Sequence, residues 1–199
     1  MLFPAPKVYN MCATFSVESE GDINLQQIAA KCGNSEYNPK RFSAAIMRTK
    51  SPRSTTLIFR TGKIVVVGTH SENDLHLVSR KVLKKLYKLG ICKNSMRQAV
   101  SINNIVASVS THFRLNLESM NSLEGAQYEP DTFPALIYRM KNPKSTFLIF
   151  SNGKIVINGV KSEQEIHDAF STLSQLIKKY RIMPKQKRKI YDRKQFILI

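Results

Sequence analysis

Residues 55–68, TTLIFRTGKIVVVG, carry apolar side chains on both parities of the chain: Leu57, Phe59, Val65 and Val67 on one, Ile58, Ile64 and Val66 on the other. A strand with one wet face alternates apolar and polar residues, so this segment needs cover on both sides. The pattern returns at 145–159 as STFLIFSNGKIVING. Upstream, VYNMCATFSV reads as a first strand. In NLQQIAAKCG, Asn24 caps a helix with Gln27 at its third position; Leu25, Ile28, Ala29 and Cys32 share a face, and Gly33 ends it. A short segment at SEYNP and strands over 42–50, 54–60 and 63–68 follow, turning at KSP and RTG. Ser71 with Asp74 opens a longer helix, whose apolar stripe is Leu75, Val78, Val82, Leu86 and Leu89. Strand, helix, four strands, helix with short turns predicts an antiparallel sheet covered by helices on one face. The other apolar face is left without cover, which marks an interaction surface.

The unit occurs twice. A shift of 91 lays residues 37–72 on 128–163, with 20 of 36 positions identical, among them Phe42/Phe133, Arg48/Arg139, Leu57/Leu148, Phe59/Phe150, Gly62/Gly153 and Lys63/Lys154. Asn10 pairs with Asn104 at a shift of 94. The expected organisation is a first repeat over 1–91, a linker over 92–100, a second repeat over 101–180 and a basic tail over 181–199. Two units are too few for a solenoid and favour a pseudo-two-fold pair joined edge to edge.

Charge changes the picture. Lys and Arg number 31 against 14 Asp and Glu, a formal net charge of +17. An excess of this size points to a polyanionic partner. No run of 18 apolar residues predicts a transmembrane helix, and MLFPAPKVYN lacks the form of a secretory signal. The three cysteines, Cys12, Cys32 and Cys92, lie far apart and suggest neither a disulfide framework nor a zinc site. His70, His76, His112 and His167 have no metal-ligand spacing, and no phosphate loop or nucleophile elbow is present. The expectation is a protein without catalysis, cofactor, metal, small-molecule ligand or membrane partner.

On and beside the uncovered face stand four phenylalanines in two symmetric pairs, Phe42 with Phe59 and Phe133 with Phe150, flanked by Leu57 and Leu148 and bordered by Arg41, Arg48, Lys63, Arg139 and Lys154. An apolar surface bordered by cations suits a duplex minor groove. Few base-edge hydrogen bonds are available there, apolar wedges enter between base steps, and the cations take phosphates.

The runs EYNPKRF, AAIMR, TTLIF and GKIVVVG in the first repeat and YEPDTFPALIYRM, LIF and GKIVING in the second resemble the TATA-box-binding protein family of the eukaryotic type, over about residues 7–181. The resemblance implies an α+β saddle, a continuous curved antiparallel ten-stranded sheet with helices on its convex face. It implies a nuclear general transcription initiation factor that sits on the minor groove of TATA-like double-stranded DNA, bends it and nucleates the preinitiation complex for RNA polymerase II. On this resemblance Phe42, Phe59, Phe133 and Phe150 intercalate. Asn10, Cys12, Leu57, Val65, Val67, Asn104, Val106, Leu148, Val156 and Asn158 line the groove. Arg41, Arg48, Lys63, Arg139 and Lys154 meet phosphates. Val67 and Asn158 stand where the family usually has a threonine, and Cys12 where it has a valine. The implied protein partners are general transcription factors IIA and IIB, associated factors and negative cofactors, with Arg80, Lys84 and Lys88 meeting acidic partners and Glu129 with Asp131 matching the factor IIB contact. The tail, with seven Lys or Arg between 181 and 194, reads as an import signal, a phosphate contact or a disordered end. The alternative is a divergent paralogue that acts mainly as a protein-interaction scaffold with weak TATA preference; an RNA- or single-strand-binding sheet fits the charge but not the symmetric wedges.

Overall fold

The structure, a computed structural model, describes residues 3–93 and 99–182. The basic tail from 183 and positions 94–98 of the expected linker lie outside the described residues. The first repeat runs β1 (Lys7–Ser16), α1 (Leu25–Lys31), β2 (Ser35–Glu36), β3 (Ala44–Lys50), β4 (Arg53–Phe59), β5 (Lys63–Thr69) and α2 (Glu72–Lys88). The second runs β6 (Ser101–Ser110), α3 (Leu117–Met120), β7 (Ala126–Gln127), β8 (Ala135–Met140), β9 (Ser145–Phe150), β10 (Lys154–Val160) and α4 (Glu163–Ile177). All ten strands form one antiparallel sheet in the order β2-β3-β4-β5-β1-β6-β10-β9-β8-β7. The two units meet edge to edge through β1 and β6, where Asn10 lies opposite Val106 and Cys12 opposite Asn104.

The helices begin where the sequence places caps. The Asn24 side chain accepts from Gln27 N, and Ser71 and Ser162 accept from Asp74 N and Glu165 N, each at 3.1 Å. Such a cap is worth about 1 kcal/mol. Helices α2 and α4 pack their apolar stripes on one parity of the strands. Ile58, Ile64, Val66, Ile149, Ile155 and Ile157 are fully buried against them. Each repeat thus has its own core, and the join is shared: Met11 of β1 belongs to the second repeat's core, and Phe3 packs there between Phe113 and Phe170. The first core is the smaller at one point, where Thr56 stands in the place of Phe147. The Thr56 and Thr69 hydroxyls are buried without a hydrogen-bond partner.

One strand boundary differs from expectation. The strand predicted to begin at residue 42 begins at Ala44. Arg41 and Phe42 instead close a turn, both donating their N–H to Asn38 O at 3.0 Å. The Pro39 turn holds the chain off the sheet, and Phe42 stands out from its end.

Candidate nucleic-acid interface

Among the described residues no helix covers the second parity. Ile46, Thr55, Leu57, Phe59, Val65, Val67, Cys12, Thr14, Asn10, Asn104, Val106, Ser108, Val156, Thr146, Leu148, Phe150 and Ile137 alternate with the core positions and remain partly exposed. Cross-strand register ties them into rows: Ile46–Leu57–Val65–Thr14 in one half and Ile137–Leu148–Val156–Ser108 in the other. The groove-lining set read from the sequence, Leu57, Val65, Val67, Cys12, Asn10, Asn104, Val106, Val156, Leu148 and Asn158, falls on this one face.

The aromatic pairs sit near its two ends. Phe42 and Phe59 have ring centroids 6.2 Å apart at 64°, and Phe133 and Phe150 6.4 Å apart at 61°. Edge-to-face contact of this kind fixes ring orientation. Phe42 and Phe133 are 41% and 38% exposed, so each pair has one member on the sheet and one projecting from it.

At the centre lies a device the sequence did not disclose. Register slips between Met11 and Cys12 against β5, and between Ile157 and Val160 against β6. In the first slip the extra residue is Gly68, and in the second Asn158 and Gly159 face Val106 alone; both glycines have positive φ, 91° and 90°. A bulge leaves an N–H unpaired in the ladder, and glycine accepts the left-handed backbone it needs. The Asn10 Oδ1 accepts from Gly68 N at 2.7 Å and the Asn104 Oδ1 from Gly159 N at 2.9 Å. With both oxygens engaged, each carboxamide is left with its NH2 as its free group, a donor on the open face.

The cations frame the face. Lys63 and Lys154 open β5 and β10 and are exposed, and Arg41 is exposed in the turn before β3. Arg48 donates to Glu36 Oε1 at 2.7 Å as an exposed ion pair, whereas Arg139 reaches Gln127 Oε1 at 3.4 Å. Exposed pairs are worth little, so Arg48 remains available to a stronger anion. On the opposite side of the sheet, α2 exposes Arg80, Lys84 and Lys88, while α4 carries Glu163, Glu165 and Asp168 near its start. The turns before β3 and β8 also contrast: Lys40 and Arg41 in one, Glu129 and Asp131 in the other. Away from the face, Lys141 hydrogen-bonds Glu124 and holds its carboxyl below the usual carboxylate range. Among the described residues no group of three or more metal-ligating side chains comes together, and no helix is long and apolar enough to cross a membrane.

The family model described as "Transcription factor TFIID (or TATA-binding protein, TBP)" matches residues 5–89 and 99–180, one match per repeat. The chain belongs to the TATA-binding protein family. It is 43% identical over 177 residues to the TBP-related factor of Drosophila melanogaster, covering 88% of this chain and 77% of that one. It is equally similar, 43% over 178 residues, to the TATA-box-binding protein of Candida albicans, with 88% and 73% covered. The solved structure of Methanococcus jannaschii TBP superposes with a TM-score of 0.79 at 33% identity, covering 88% of this chain and 99% of that one. The fold is therefore the curved, duplicated saddle of the TATA-binding protein family, and the chain is a non-catalytic DNA-binding transcription factor.

Proposed function

We propose that the open face of the saddle binds the minor groove of TATA-like duplex DNA, bends it, and nucleates a preinitiation complex for RNA polymerase II in the nucleus. The observation that carries this reading is the symmetric placement of two edge-to-face phenylalanine pairs toward the ends of an uncovered apolar face whose centre carries two amide donors. Phe42 with Phe59 and Phe133 with Phe150 wedge between base steps. Asn10 and Asn104 donate to A N3 and T O2 acceptors. Leu57, Val65, Val106, Leu148 and Val156 press on the groove floor, while Lys63, Lys154, Arg41, Arg48 and Arg139 meet phosphates. Partners occupy the other surfaces: an acidic factor such as IIA or a negative cofactor on Arg80, Lys84 and Lys88, and factor IIB on the Glu129–Asp131 turn.

Titration of the full chain against a labelled TATA duplex, a scrambled duplex and a single strand tests this. Tightest binding to the TATA duplex supports it. A preference for the single strand, or equal affinity for both duplexes, refutes it. Val67, which cannot donate a hydrogen bond, favours a second reading, a scaffold for general factors. That reading predicts ternary complexes with those factors but equal affinity for the two duplexes.

A further inference from the structure

The two halves of the open face are nearly matched. Thr14 answers to Ser108, Thr55 to Thr146, Leu57 to Leu148 and Val65 to Val156. They differ in the row nearest the join, where Val67 answers to Asn158 and Cys12 to Val106. Val67 lies across from Thr55 and Cys12; Asn158 lies across from Thr146. Asn158 is exposed, and its carboxamide makes no hydrogen bond to any described residue. Its oxygen is therefore free. That sets it apart from Asn10 and Asn104, whose oxygens are held by Gly68 and Gly159 N–H.

The difference has a chemical meaning in a minor groove. An A·T pair shows only acceptors there, which suit the donor amides of Asn10 and Asn104. A G·C pair adds the guanine N2 amino donor. Against Val67 that amino group is desolvated without a partner, which is costly. Against Asn158 the free amide oxygen accepts from it, while the amide NH2 still serves an A·T pair. The other acceptors on this face, the Thr and Ser hydroxyls, are shared by the halves. Cys12 adds only a weakly accepting sulfur.

We infer that Asn158 determines specificity, admitting a G·C pair under the second repeat while Val67 rejects one under the first. A single G·C pair in an A·T run then fixes the direction in which the chain sits on DNA. The inference rests on the minor-groove reading above and adds to it a base and a polarity.

The test uses the full chain and a self-complementary A·T duplex. In this duplex one A·T pair, or both mirror-related pairs, is replaced by G·C or by I·C, which lacks the 2-amino group. Because the chain can turn round, a single G·C near the centre should bind within about threefold of the I·C duplex. The doubly substituted duplex should bind on the order of tenfold more weakly than its I·C counterpart, the scale of one mismatched pair. Asn158→Val should lose tolerance of the single G·C, read as the ratio of its affinities for the G·C and I·C duplexes, so that any donor lost to A·T pairs cancels. Val67→Asn should recover the double. If every G·C position costs wild type and Asn158→Val equally while the all-A·T duplex is still bound, the inference falls and the groove reading stands. If the all-A·T duplex is not bound, both fall.

Discussion

Truncating the projecting wedge residues separates their role in DNA bending from their role in the fold. Phe42 and Phe133 are 41% and 38% exposed, so about three-fifths of each residue's surface is covered, and each ring packs edge-to-face on Phe59 or Phe150. Full burial of a phenylalanine is worth about 1.5–3 kcal/mol, and an edge-to-face pair adds about 0.5–1.5. Phe42→Ala or Phe133→Ala should therefore lower unfolding stability by about 1–3 kcal/mol, which leaves a domain of this size folded. The cost on DNA is separate. A wedge sustains an unstacked base step worth a few kcal/mol, so each variant should lose on the order of a hundredfold in affinity and show a smaller bend. Energy transfer between dyes on the two duplex ends reads the bend, and urea denaturation reads the fold. Tyr87→Ala is the control, since Tyr87 is an exposed aromatic on α2, away from the groove face. If both phenylalanine variants are destabilised as calculated yet bend DNA as the parent does, the rings only pack the ends of the sheet, and the wedge assignment is wrong.

Three further outcomes are expected. Lys63→Ala or Lys154→Ala should reduce the slope of log affinity against log salt by about one unit, the release of one phosphate's counterion. Neutralising Arg80, Lys84 and Lys88 together should leave that slope unchanged and weaken a ternary complex with an acidic partner, read as a lost slower band on a native gel. Thr56→Val should raise stability by about 1 kcal/mol, because the hydroxyl it removes is buried without a partner; an unchanged or lower urea midpoint would refute this.

The duplicated unit was legible in the sequence from the self-match at a shift of 91, the antiparallel sheet from short turns between strands, and the covered and open parities from periods of two and 3.6. The parity of Leu57, Phe59, Val65 and Val67 against Ile58, Ile64 and Val66 placed both faces before the structure did. The strand pattern runs on to Phe42 because it does not register a turn closed on Asn38 O. The bonds of Asn10 to Gly68 and of Asn104 to Gly159 span 58 and 55 residues and depend on bulges set by inter-strand register. Gly68 and Gly159 were the only local sign of them, since an isolated glycine in a strand pattern marks a bulge. The Arg48–Glu36 pair was equally hidden, being made across the β2–β3 edge.

In the proposed function the open face reads the minor groove. Replacing A·T pairs of a bound duplex by I·C keeps the minor-groove acceptors and adds no amino group there, while the major groove acquires the pattern of G·C. Equilibrium affinity of the full chain for the two duplexes is the most direct measurement. Affinities within about threefold of each other are predicted, since a major-groove reader would lose about 1–3 kcal/mol at each contacted pair. A loss of a hundredfold or more on the I·C duplex would contradict the account.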